Sequence, residues 1–432
     1  MTALTAWLDA NSLAIWTIVV GILCNTSCAI LGCYLVLRRM SLLGDAISHS
    51  VLPGLAVAFL LTGSISGWGM AVGAAALGVL TAFLTQAVHK LAGVPEDAGM
   101  GVVFTSLFAI GVILITRAAS RADLDPGCVL YGQIDFTAID TMPILGLEVP
   151  RATRTLGPGL LVTVGFVALF WKELKIVSFD PALASAMGFR VSLIHYLLMA
   201  MVAGVTVASF EAVGSILVIA MLIVPAATAH LLTDRLAGMM GWSVAVAVLS
   251  AVLGYWGAVH WNTSVAGMMA VAAGALFTLA VFFAPRHGLV SQSARRLLLS
   301  LRIVREDILA LMFRAEESLV SGRPAVPSAS LALRWLARFQ LHRSGLIERL
   351  TGRWQLTAAG RAVAVELVAS HRLWETYLST RLDLPADHVH PPAERMEHFI
   401  DRTLREQLVA ELDHPDRDPH GKPIPLPSAP SS

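Results

Sequence analysis

The sequence predicts an all-α polytopic membrane protein of about nine transmembrane helices, followed by a cytoplasmic, mostly helical domain of winged-helix type. Three observations carry that prediction. Of 432 residues, 56% are hydrophobic and only 14% charged, with a mean hydropathy of +0.69, more apolar surface than a soluble fold needs. The apolar residues come in blocks of about 20, the length that spans ~30 Å of hydrocarbon. Charge is also uneven: residues 1–284 hold little, whereas residues 285–432 are rich in Arg, Glu, Asp and His. A membrane domain thus gives way to a soluble one. The net charge of +1 discriminates nothing.

The expected spans are residues 13–37, 41–62, 67–89, 99–118, 157–171, 191–210, 212–232, 237–258 and 264–284. Basic residues orient them. With the N-terminus outside, the inner loops hold Arg38 and Arg39, Lys90, Lys172 with Lys175 and Arg190, Arg235, and the tail from Arg286. The outer loops hold almost none. The exception is the long segment 119–156, with Arg121, Arg151 and Arg154, and long segments obey the rule poorly. The opening MTALTAWLDANS lacks a positive region, so the first block reads as a retained helix. Cys24, Cys28, Cys33 and Cys128 form no disulfide or zinc pattern. The first three read as helix-packing residues.

Asp45 and His49 lie in RRMSLLGDAISHSVLPG, inside the second block. An ionisable residue there is costly and usually faces a pathway or a partner. The i, i+4 spacing puts both on one helix face. At ~1.5 Å per residue from Arg38, His49 lies ~16 Å in, near the midplane. A carboxylate and an imidazole on one face suit a divalent transition metal; a structural Asp–His pair between helices fits the same spacing. Pro53–Gly54 marks a kink or break, of the kind that lines cavities. Glu211, in ASFEAVGS, reads either as a guard of the outer mouth or as a solvated turn residue. Pro225 marks a bend, and His230 snorkels from the cytoplasmic end.

No GxxxxGK[ST] occurs in the chain, so ATP hydrolysis through a P-loop needs another subunit. The cytoplasmic loop KELKIVSFDPALASAMGFR reads as a short amphipathic helix. Asp180 is its N-cap, Pro181 its first residue and Gly188 its stop. Such a helix docks a partner or lies on lipid. RRMSLLGDAISHSVLPG, FDPALASAMGF and EAVGSILVIAMLIVPAATA resemble, in this order, the permease subunit of manganese, zinc and iron ABC importers, the ABC-3 permease family. The resemblance covers residues 12–285. It implies a pore shared with a second permease copy or a paralogue, and a separate cytoplasmic ATPase on the loop around 178–190. It also implies an extracytoplasmic metal-binding protein, in a bacterial inner membrane. It places Asp45 and His49 in the metal pathway and, by position before Val-Gly, Glu211 as well.

The tail begins with a basic segment, 286–302, which sits on anionic headgroups or leads into a helix. SLALRWLARFQLHRSGLIERLTGRWQLTAAGRAVA then reads as helix, turn, two short strands and helix, the order that ends a winged helix. Glu394, Glu397 and His398 share a helical face by their spacing, as do His371 and Glu375 on an earlier helix. Two such helices cage a divalent metal, with Mn²⁺ or Fe²⁺ suiting oxygen-rich ligation better than structural Zn²⁺. A solvated helix rich in Glu, Arg and His gives the same pattern.

LTAAGRAVA, SHRLWETYL, LDLPADHVHPPAERMEHFI and HPDRDPHGKPIP resemble the metal-dependent repressors of the diphtheria-toxin-repressor and manganese-transport-regulator type, over residues 303–427. The resemblance implies His371, Glu394, Glu397 and His398 as metal ligands, with Glu375 and His390 in an ancillary site. Glu at 394, where iron-type members have Cys, leans toward manganese. Two features depart from that family. Its first-helix acidic pair falls here on Ile303 and Glu306, with Asp307 as the available substitute. No clean supporting helix precedes the recognition helix, which weakens DNA reading; Arg334, Arg338 and Arg343 contact phosphates or form a solvated face. Three roles follow for the tail: a metal sensor that brakes transport, a DNA-binding repressor, or a vestigial dimerisation module. Residues 428–432 read as a disordered end.

Overall fold

The structure, a computed structural model, describes residues 12–40, 43–62, 68–118, 134–144, 147–317, 329–350 and 352–425. The chain divides into two compact units, Met1–Ser291 and Gln292–Ser432.

The first unit is a helix bundle. Its elements are α1 (Ser12–Leu37), α2 (Leu43–Thr62), α3 (Trp68–Ala92), α4 (Glu96–Ala118), a short α5 (Ile134–Thr137), the strands β1 (Thr141–Ile144) and β2 (Leu147–Pro150), α6 (Arg151–Leu169), α7 (Trp171–Phe179), α8 (Pro181–Ala186), α9 (Val191–Val213), α10 (Ser215–Leu232), α11 (Leu236–Trp261) and α12 (Val265–Phe283). A helix thus occupies each position where the apolar blocks predict a span. Among the described residues, six of these helices, α1, α3, α6, α9, α11 and α12, contain a stretch long and apolar enough to cross a bilayer.

Two expectations are corrected here. Part of the segment 119–156, expected as loop, forms α5 and the antiparallel hairpin β1–β2, with Thr141 opposite Pro150, and α6 starts earlier than its apolar block, at Arg151. Cys128 and residues 119–133 lie outside the described residues. Of the kink or break expected at Pro53–Gly54, the break does not occur: α2 is helical throughout with Pro53 inside it, as α10 is around Pro225. Neighbouring helices and side chains compensate the lost backbone bond at membrane depth.

α1 is the axis of this unit. Cys24, Cys28, Leu31, Cys33, Tyr34 and Leu35 on it have no exposed surface, and α6, α9, α10 and α11 all pack against it. The three cysteines are free thiols that fill helix contacts. A second group, α2, α3 and α4, packs together, and α9 touches both groups. Because lipid is as apolar as leucine, close backbone approach rather than hydrophobicity holds such helices together. A Cβ on Gly32 of α1 would fall 1.8 Å from the Leu222 carbonyl oxygen of α10, and one on Gly54 of α2 would fall 2.5 Å from the Gly73 carbonyl oxygen of α3. Beside the latter contact, the Ser50 and Thr81 hydroxyls pair at 2.7 Å. Leu161, Trp256 and Phe283 stand exposed on the outside, as a lipid-facing surface requires.

The second unit is built on α13 (Leu289–Glu317), α14 (Leu331–Arg343), the strands β3 (Ile347–Leu350) and β4 (Arg353–Leu356), α15 (Ala358–Arg381), α16 (His390–Met396), a 3₁₀ turn (Glu397–Phe399) and α17 (Arg402–Glu411). The segment 286–302, expected as a linker, is mostly the first half of α13. Leu301, Val304, Ile308, Leu309 and Phe313 of α13 bury against Ala337, Leu341, Ile347, Leu356, Ala364 and Val368. β3 and β4 pair antiparallel, Ile347 opposite Leu356. Caps set the helix starts: Ser330, Thr357 and Asp401 side chains accept from Leu333, Gly360 and Leu404 amides. Residues 428–432 lie outside the described residues.

The close contacts make a prediction. Gly32→Ala meets backbone, which cannot give, and should cost on the order of 3 kcal/mol. Gly274→Ala, in open space on α12, should be neutral. Thermal unfolding in detergent, followed by size-exclusion chromatography, should show early aggregation for Gly32→Ala alone.

Candidate metal sites and transport elements

The tail gathers several of its histidines and carboxylates around two buried histidines, His371 and His398. His371 and Glu375 sit a turn apart on α15, 3% and 2% exposed. His371 Nε2 lies 3.1 Å from Glu375 Oε1 and 3.0 Å from His390 Nδ1, and His390 Nδ1 lies 2.8 Å from the same Glu375 oxygen. On its other side His371 Nδ1 is 2.6 Å from Glu397 Oε2, yet the two are not aligned as a hydrogen bond and Nδ1 is a buried atom without one. A second set surrounds His398: Nδ1 is 2.9 Å from Glu306 Oε2 and Nε2 is 3.1 Å from Asp307 Oδ1. Glu397 Oε1 is 4.0 Å from His398 Nε2 and bridges the two sets.

Among the described residues, two groups therefore each bring three ligand atoms within 4.8 Å of one another: His371, Glu375 and His390, and Asp307, Glu397 and His398. Imidazole nitrogens and carboxylate oxygens, with no sulfur, fit a divalent cation of intermediate hardness. The His371–Glu397 contact at 2.6 Å sets an imidazole nitrogen against a carboxylate oxygen, the two ligand types that such a cation takes. Glu394 is not brought to either group. It stands exposed on α16, whereas Glu397 and His398 are buried. α16 ends at Met396 and the 3₁₀ turn winds more tightly, so the three residues do not share one helix face. Asp307 stands beside Glu306 at His398, while Ile303 contributes no ligand atom.

Protons hold the cluster together in the cation's stead. Burial lowers the pKa of His398, but the Asp307 and Glu306 carboxylates outweigh it and raise it to about 9. Burial likewise opposes the charged form of His371, but hydrogen bonding to Glu375 and the Glu397 carboxylate raise it. Burial pushes Glu375 up, and its bonds to His371 and His390 overcome this and hold it well below the carboxylate range. Three contributors were not legible in the residue pattern. Arg314 Nη2 lies 3.2 Å from Glu397 Oε2. Arg372, 3% exposed, donates to Glu317 at 2.5 Å and to the Pro423 carbonyl at 2.5 Å, tying the closing segment to α15. That segment then places His420 Nε2 3.8 Å from Glu375 Oε1. Only the repeated alternation of Arg with His and acid hinted at them.

In the membrane unit, Asp45 and His49 lie a turn apart on α2, and Glu211 lies in the last turn of α9. Their side chains lie outside the described residues. α2 begins at Leu43, after a backbone reversal at Arg39, φ 59°. His49 is therefore ~9 Å along α2 rather than ~16 Å along one helix from Arg38. Gly214, φ 79°, joins α9 to α10 in a left-handed turn that a side chain would strain. His230 is exposed at the end of α10.

The loop between α6 and α9 forms α7 and α8. The Asp180 carboxylate accepts from the Leu183 amide at 2.9 Å, Pro181 opens α8, and Gly188 at φ 85° follows its end. Phe179, Leu183 and Met187 are exposed there. Arg38, at the end of α1, donates to Ser178 of α7 at 3.1 Å and lies 3.4 Å from His195 of α9. The loop is thus anchored to two core helices.

Residues 11–284 match the ABC 3 transport family, and residues 357–426 match the iron dependent repressor, metal binding and dimerisation domain. The chain is 48% identical over 283 residues to the manganese transport system membrane protein MntD of Bacillus subtilis, covering 65% of this chain and 96% of that one. It is 35% identical over 357 residues to the zinc transport system membrane protein TroD of Treponema pallidum, covering 80% and 96%. A solved structure, PsaBC from Streptococcus pneumoniae in complex with Fab, is similar with a TM-score of 0.55 and 30% identity, over 66% of this chain and 97% of that chain.

The raised histidines predict a pH dependence. His398 stabilises the metal-free tail fully below its unfolded value of 6.5, and that contribution is lost as pH rises through about 9. Hydrogen-exchange protection of α15 in the metal-free full-length protein, corrected for intrinsic rates, should fall across that window. Added Mn²⁺ should restore it, because a bound cation replaces the lost protons.

Proposed function

We propose that this chain, which belongs to the ABC 3 transport family, is the membrane-spanning permease subunit of an ATP-driven importer of a divalent transition metal. Mn²⁺ is the first choice, with Fe²⁺ and Zn²⁺ as alternatives. The family match across residues 11–284 carries the reading. The relatives named for manganese and zinc transport support the class of cargo.

Within that reading all nine long helices of residues 1–285 cross a bacterial inner membrane, with the N-terminus outside and residues 303–427 in the cytoplasm. Asp45 and His49 supply a carboxylate and an imidazole to the path of the ion, and Glu211 stands at its outer end. Asp180, Pro181 and Gly188 shape α8, and Leu183 on it with Met187 just after its end, both exposed, offer a separate ATPase an apolar foothold. A second permease copy or a paralogue completes the pore, and an extracytoplasmic metal-binding protein delivers the ion.

The tail senses the imported metal. His371, Glu375 and His390 form one site and Asp307, Glu397 and His398 another, with Glu306 bonded to His398. Metal bound there orders the segments that contribute ligands and slows transport. Helix α14, the hairpin β3–β4 and helix α15 follow winged-helix order, and Arg338 and Arg343 on α14 are exposed. These features favour, as a second reading, a metal-dependent DNA-binding repressor.

Uptake of radioactive Mn²⁺ into cells tests the pathway. Asp45→Asn and His49→Ala should each abolish it while the ATPase still co-purifies, and full uptake in either variant would remove the pair from the path. Leu183→Asp should instead lose the ATPase. For the tail, a chain ending at residue 290 should keep importing at internal Mn²⁺ levels that shut down the full chain. Identical shut-off in both would eliminate the brake.

A further inference from the structure

Beside Arg338 and Arg343, which the second reading gives to DNA, α14 exposes apolar residues that neither reading of the tail uses. Leu331, Trp335 and Phe339, at i, i+4 and i+8, form one strip, 79%, 69% and 50% exposed. The Trp335 and Phe339 rings stack with centroids 5.8 Å apart and planes 9° off parallel. The strip continues through His342, whose ring meets Trp354 of β4 edge-on at 5.4 Å. Trp354 is itself exposed, opposite Arg349 in the hairpin. Arginine surrounds the strip: Arg334, Arg338, Arg343, Arg349 and Arg353 lie within residues 331–356, against the single acid Glu348.

We propose that this face, α14 with β3–β4, docks on the surface of an anionic lipid bilayer. Tryptophan and phenylalanine beside arginine suit the headgroup level, where rings enter the acyl boundary and guanidinium groups meet lipid phosphates. Duplex DNA is a poorer occupant. Base edges in the major groove are read by polar side chains, and here apolar Leu331, Trp335 and Phe339 take an exposed face of the helix from its first residue onward. A second copy is disfavoured by charge, because a two-fold contact sets arginines against arginines. The chain also keeps lipid at hand, since α14 is joined covalently to a unit with membrane-spanning helices, which raises the effective concentration of bilayer surface. The inference rests on the reading that residues 1–285 span the membrane, but not on any transported ion.

The test uses the full-length protein in nanodiscs, with native cysteines replaced and a spin label at Ala332→Cys. Discs contain phosphatidylcholine alone or an equal mixture with phosphatidylglycerol. In the mixed discs the label should become accessible to oxygen and several-fold less accessible to an aqueous nickel reagent. In phosphatidylcholine discs it should stay water-accessible. Trp335→Glu, or Arg338→Glu with Arg353→Glu, should abolish the protection while far-UV circular dichroism and the elution volume on size exclusion stay unchanged, which shows that the protein is folded. Each arginine removed should weaken the lipid contact by about fivefold. A label that is water-accessible in both discs overturns the proposal. So does one protected equally in both and in Trp335→Glu, or one protected only when duplex DNA is added. Loss of Mn²⁺ uptake would leave this result unaffected, so the two readings fail separately.

Discussion

A backbone in hydrocarbon finds no water to bond, and each unpaired amide or carbonyl there costs several kcal/mol. The long helices of the first unit follow from that constraint. The chain becomes helix wherever it is apolar for long enough, and the prolines at 53, 158 and 225 sit inside helices rather than ending them. With no hydrophobic force to press helices together, association relies on contact between backbones. α1 illustrates the result: apolar on all sides, it is buried by four partners, and Gly32 lets the Leu222 carbonyl approach where a methyl would not fit.

The second unit obeys a different constraint. Glu375 and Glu397 are 2% and 3% exposed, and a buried carboxylate must be matched by positive charge. His371, His390, His398 and Arg314 supply it, with two of the histidines held above their ordinary pKa by the acids they face. Protons and a divalent cation are interchangeable in this role. If the tail binds metal as proposed, its affinity depends on how readily those protons leave.

One polypeptide that combines a permease of the ABC 3 transport family with a metal-binding repressor-type domain gives the proposed importer a direct measure of its own product. Under the proposed reading, Asp45 and His49 on the path and the His371 and His398 groups in the tail offer the same ligand types, imidazole and carboxylate, and so suit the same class of metal. A regulator that reads cytosolic metal and also rests on the bilayer would need no diffusion to reach its target. The strip of Leu331, Trp335 and Phe339 would then serve location rather than sequence recognition.

The sequence by itself determined the membrane class, the positions of the long helices, and the cap, first residue and stop of α8. These depend on local rules: apolar length, side-chain reach over one turn, and the left-handed backbone that Gly188 allows. It also pointed to His371, Glu375, Glu397 and His398 by their helical spacing, and to His390 by the resemblance to the metal-dependent repressors. Only the tertiary structure decided the grouping. It set Asp307 and Glu306 of α13 against His398, left Glu394 in solvent because a tighter turn follows Met396, and brought His420 near Glu375 through the Arg372 bonds. Those contacts join residues scores of positions apart, and no local periodicity encodes which distant helix will supply the opposite charge. The same holds for Gly32 and Leu222: an apolar helix in an apolar solvent carries no amphipathic stripe to announce its partner.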